Sequence, residues 1–181
     1  GVGQWPVEIA VLRAGFGEES FDGQGHGVDV GGEGDNCRMF QPNASDVRRF
    51  FCAAYAAQRV GTPLDLMAAI AARWITEHPE YHADLADAAA ALQADYTVES
   101  GRSNPFLHLA MHLTIEEQLA IDQPTGIRQA VQLLAARRHS LHEAHHEVME
   151  CLGEMIWASQ RSGLPPDGQA YIEAVRRRAM R

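Results

Sequence analysis

The sequence predicts an all-α protein, a compact helical bundle of about six or seven helices behind a glycine-rich N-terminal extension. Three observations predict it. From Met39 onward apolar residues recur at helical spacing, cap and breaker residues punctuate the chain at helix-length intervals, and no stretch shows the strict alternation of a half-buried strand. The 181 residues, 46% hydrophobic and 22% charged, are enough chain to bury one real core.

Two segments follow from composition. Ten of the sixteen glycines lie in residues 1–36, in runs such as GQGHG and GGEGDN, with few apolar residues beyond Trp5 to Leu12. Such a stretch cannot repay its ordering entropy by burial, so residues 1–38 are expected to be a disordered extension. They contain no GxxxxGK[ST] and no GxGxxG set between a strand and a helix, which excludes a phosphate loop. Met39 is expected to be the native start and the residues before it an upstream translation artefact. Residues 39–181 form the helical domain.

Within that domain, Ser45 or Asn43 caps a helix to about Arg59 that turns Val47, Phe50, Phe51, Ala54 and Tyr55 inward. Gly61 ends it, and Thr62-Pro63 starts a helix through Leu66, Ile70 and Trp74 to about Glu77, stopped by Pro79. A short alanine-rich helix from about Ala83 to Gln93 is followed by a loop from Asp95 to Ser103. Asn104-Pro105 is a cap-plus-first-turn signal for a helix to about Ile121. Gln123 to Gly126 break the chain before a helix to about Arg138, and another runs from about Ser140 to Arg161. Gly163 to Pro166 make the last turn before a terminal helix from Asp167 onward. Trp74 and Trp157 read as packing anchors.

Charge and cysteine usage exclude several function classes. Fifteen basic residues, all arginine, stand against twenty-four acids for a net charge of −9, which argues against a nucleic-acid partner. The one basic cluster, Arg176, Arg177, Arg178 and Arg181, falls at a helix C-terminus, where the dipole favours cations. Three cysteines (Cys37, Cys52, Cys151) without CxxC spacing suit a reducing cytoplasm. The longest strictly apolar run, Leu66 to Ala72, is far below the ~20 residues of a membrane helix. No signal-peptide pattern opens the chain. A cytoplasmic protein without membrane or nucleic-acid partners is the expectation.

The histidines carry the chemistry. His108, His112 and Glu116 are each four residues apart, and so are His142, His146 and Glu150. A step of four advances about 40° around a helix, so each trio forms a ridge on one face. On the first helix the ridge lies between two apolar flanks, Leu107, Met111, Ile115 and Leu119 on one side and Phe106, Leu109 and Leu113 on the other. Unpaired polar groups are expensive there. On the second helix His145 falls within the stripe of Leu141, Val148, Met149, Leu152, Met155 and Ile156, while His146 and Glu150 turn toward the acidic side. The inward pair is therefore His142 with either His146 or His145.

Two such ridges on packed helices make a transition-metal site, with His108, His112, His142 and His146 as preferred ligands, Glu116 next, His145 as substitute and Glu150 last. Imidazole with carboxylate suits iron, zinc, nickel or manganese. An unliganded acid such as Glu143 would be the proton acceptor of any hydrolytic or oxidative chemistry. The alternative is a non-enzymatic module that binds a protein partner, with the histidines as a structural polar layer. His78 and His82 also stand four apart, but Pro79 interrupts the helix between them. His78 is expected to cap the preceding helix, His82 to lie at the surface and His139 to cap or bridge a helix junction.

The blocks NPFLHLAMHLTIEEQ and HEAHHEVMECLGEMIWASQ, preceded by PLDLMAAIA, HPEYH and DYT, resemble the bacterial domain-of-unknown-function family 1841 from Met39 to the C-terminus. That resemblance implies a small helical protein and carries no activity. His112-x3-Glu116 followed by His142-x3-His146 resembles part of the hemerythrin ligand spacing, but the further histidine helix and the HxxxxD motif are missing. Glu143-x2-His146 is similar to one ferritin-like Glu-x-x-His element, and the second copy is absent.

Overall fold

The computed structural model describes residues 43–96 and 103–181. The expected disordered extension, with Cys37 and His26, and most of the expected 95–103 loop lie outside the described residues. Within them the chain is helical, without strands. It comprises α1 (Ala44–Val60), α2 (Leu66–Glu77), a single 3-10 turn (Pro79–Tyr81), α3 (His82–Leu85), α4 (Ala88–Gln93), α5 (Pro105–Ile121), α6 (Ile127–Arg138), α7 (Leu141–Ser162) and α8 (Gly168–Ala179).

Side-chain caps explain most of the starts. Asn43, not Ser45, caps α1, accepting from the Asp46 amide while the Asp46 carboxylate accepts from the Asn43 amide. Asp65 caps α2 through the Ala68 amide at 2.8 Å, so this helix begins three residues later than Thr62-Pro63 suggested. Each such cap contributes about 1 kcal/mol. Asp87 caps α4 through the amides of Ala89 and Ala90. That cap divides the expected alanine-rich helix into α3 and α4. Asn104, with Pro105 behind it, starts α5, and Ser140 starts α7 by accepting from the Glu143 amide.

Two apolar clusters hold the helices together. The first joins Phe51, Trp74, Ile75 and Leu85 to Phe106, Leu109 and Ala110 of α5. The second joins Met111 and Ile115 of α5 to Ile127, Leu134, Val148, Leu152, Ile156, Tyr171, Ile172 and Val175. Full burial of each large side chain contributes about 1.5–3 kcal/mol before ordering costs. Helix α5 belongs to both clusters. α2 packs on one part of it and α7 on another, and this arrangement positions the histidines. Trp157 departs from expectation: it is 58% exposed, and its ring lies under the Arg161 guanidinium at 4.5 Å. It falls one residue past the inward Met155–Ile156 pair, where a 100° step turns it out of the stripe. No described helix is long and apolar enough to cross a membrane.

Candidate metal centre

Three elements bring imidazoles to one place. His108 and His112 project from the first two turns of α5, and His142, His145 and His146 from the start of α7. The third contributor is His78, the C-cap of α2. The residue before a proline is disfavoured in the helical region, and His78 leaves it at φ −125°, ψ 64°. Its amide still donates to the Ile75 carbonyl, so the capping expectation holds for its backbone, while its ring is 2% exposed and points into the cluster.

The Nε2 atoms converge. That of His78 lies 2.8 Å from the Nε2 of His112 and 3.3 Å from those of both His108 and His142. The Nε2 of His108 lies 3.2 Å from that of His146. Ligand atoms of His78, His108, His112 and His146 all fall within 4.8 Å of one another. Nitrogens bound to one ion at ~2.1 Å stand about 3.0–3.4 Å apart in octahedral or tetrahedral geometry, and the cluster is close to that spacing. His112 is fully buried, and His108, His142 and His146 are partly so.

A second layer of groups holds these rings. The Nδ1 of His78 is 2.9 Å from Glu80 Oε1, an N–H···carboxylate pair that leaves its Nε2 lone pair facing inward. The Nδ1 of His112 is 3.3 Å from the Nδ1 of His145. With its proton on Nδ1, His112 donates to His145 and presents its Nε2 lone pair to the centre. His145 then carries its own proton on Nε2, which is buried without a hydrogen-bond partner and faces Glu116 Oε1 at 3.7 Å. Trp74 stacks on His112 with centroids 3.7 Å apart and donates its Nε1–H to Glu116 Oε1 at 3.2 Å.

Burial sets the protonation state. It pushes His108 down to about 4, with the neighbouring His78 and His146 adding to the shift. Burial, with Arg73 and His146 after it, takes His145 to about 3. His112 and His146 are lowered by burial and by the surrounding imidazoles. These rings are neutral lone-pair donors at physiological pH.

The structure thus brings together His108, His112, His142 and His146 and adds His78. His145 stands behind His112. Glu116 is outside the nitrogen cluster, ion-paired with Arg73. Glu150 is farther away, at the surface, held by Arg178 at 2.5 Å. His82 is half-buried, not a free surface residue, with its Nε2 3.0 Å from the Ile75 carbonyl. His139 ends α6 in the left-handed conformation. His78 escaped the spacing argument because its partners are 30, 34 and 64 positions away. The signal present was HPEYH itself, a histidine with a carboxylate two residues on, three residues after the apolar Trp74-Ile75.

Fold and site define an all-α protein with a buried, histidine-lined centre. The chain belongs to the family Domain of unknown function (DUF1841), whose model matches residues 43–177. No curated protein and no solved structure matches it.

Proposed function

We propose that this protein binds one transition-metal ion between α2, α5 and α7, with His78, His108, His112 and His146 as ligands and His142 beside them. One observation carries the reading. Three imidazole nitrogens lie within 3.3 Å of the His78 Nε2, and that atom has a single in-plane proton or lone pair. It satisfies one of them, and even with His108 paired to His146 at 3.2 Å a layer of hydrogen-bonded histidines leaves the His142 Nε2 facing it without a share of that bond. A cation at the focus of His78, His108, His112 and His146 takes up all four of their lone pairs at once. The interaction-module alternative has no comparable observation behind it.

The donor set narrows the ion. With Glu116 and Glu150 engaged by arginines, the ligands are neutral imidazoles alone, which suit iron, zinc or nickel and serve manganese poorly for lack of oxygen donors. The reading extends to a reducing cytoplasm, consistent with the free, buried thiols of Cys52 and Cys151.

Elemental analysis of protein purified without chelators tests it. We expect near one ion per chain in the wild type and a loss in His78→Ala and His112→Ala, each checked for folding by circular dichroism. A wild-type protein that is metal-free and neither takes up nor is stabilised by added zinc, iron or nickel overturns the reading.

A further inference from the structure

We propose that the centre has an exchangeable position, reached through the cleft beside His142 and occupied in exchange for His142 by a small anionic donor ligand. This rests on the metal reading above and adds to it what the metal would bind.

His142 differs from the other imidazoles in two ways. It stands outside the mutual set of four, although its Nε2 is 3.3 Å from that of His78. It lines an open cleft of about 270 Å³ with Arg73, Trp74, Glu77, Ser140 and Leu141, and none of the other four does. Four imidazoles complete a tetrahedral set, and a site that also binds external ligands keeps one position that is open or readily vacated. The imidazole at the wet edge fits that position.

Charge selects the ligand. A divalent ion held by neutral imidazoles alone keeps its full charge, which favours an anion as the next donor. Arg73, half-exposed at the cleft with its guanidinium 5.2 Å from the Trp74 ring centroid, adds to the field, while Glu116 offsets part of it. Glu77, the one carboxylate lining the cleft, disfavours an anion resting at the mouth, so the ion is what holds it. The ring of Trp74 forms one wall and closes the approach to His112 behind it.

Cobalt(II), whose visible spectrum reports coordination number, and azide, a small anionic donor, test this. Cobalt-loaded wild type is expected to show a saturable spectral change with azide. His142→Ala removes the competing internal ligand and is expected to bind azide about tenfold more tightly. Leu141→Trp, at a half-exposed position, is expected to fill the cleft and abolish the azide response while keeping the cobalt. Bound cobalt indifferent to azide in both wild type and His142→Ala overturns this inference alone, as does an unchanged response in Leu141→Trp. Failure to bind cobalt overturns the metal reading itself.

Discussion

Two buried polar places on helix α5 are resolved in opposite ways. Toward its C-terminal end, Gln118 receives the hydroxyl of Tyr171 at 2.9 Å inside the second apolar cluster. One donor meets one acceptor, and the pair is complete. Earlier on the same helix, His108 and His112 meet imidazoles from α2 and α7, and ring nitrogens of four histidines crowd within 4.8 Å of one another. The first place is finished by the protein's own groups; the second has a surplus of one kind of group. A buried polar residue does not by itself announce a ligand, since native interiors routinely pair such groups. A concentration of ring nitrogens around one point does.

Acid should separate the two places most sharply. His108 and His145 have folded-state values of about 4 and 3, below the ordinary 6.5 that they regain on unfolding. A depressed value means stability that is present above pH 6.5 and lost as pH falls from there toward the folded values. For the fully buried His145 alone this amounts to roughly 2 kcal/mol by pH 5. Tyr171, pushed further above its ordinary 10 by burial, stays protonated throughout and contributes nothing to this slope. Urea unfolding of metal-free protein at pH 7.5 and pH 5 measures it, and equal stability at both would contradict the burial argument.

A smaller effect sharpens the role of His145. His145→Phe keeps a ring and removes the acceptor for His112 Nδ1, and we expect metal affinity to fall by about 10- to 100-fold, as for other groups that orient a metal-bound histidine. His145→Gln supplies an acceptor oxygen and should recover much of the loss. Competition titration against a chromophoric chelator reads both, and equal affinities for the two variants would remove His145 from that role. At the other place, Tyr171→Phe should cost about 1–2 kcal/mol of stability by leaving Gln118 without its donor, with metal affinity unchanged. A shift in affinity there would mean that the two clusters are coupled through α5.

The helices were legible because their signals are local. Asn104-Pro105, Ser140, Asp167 and Gly163 act within one turn of themselves, and their caps stand where their chemistry places them. The misplacements were local competitions as well. Asp65 displaced Thr62-Pro63 as the start of α2, and Asp87 broke the alanine run, because a carboxylate that satisfies free amides outweighs a weak helical preference. Trp157 has the hydrophobicity of a packing anchor but not the angle: one 100° step past Ile156 turns it out of the apolar stripe.

That helices form, where most of them begin, and that two histidine ridges turn toward a helical core all follow from local caps and a period of 3.6 residues, which the chain carries alone. Which polar groups face one another is set by the packing of the helices. Glu116 lies on the same ridge as His112, yet Arg73 of α2 takes it. Glu150, spaced from His146 as Glu116 is from His112, goes to Arg178 of α8. His78, outside both ridges, stands at the centre. Spacing along a helix fixes direction, but a ligand set requires nitrogens from three helices to converge within a few ångströms, and only the packing of α2 and α7 on α5 supplies that.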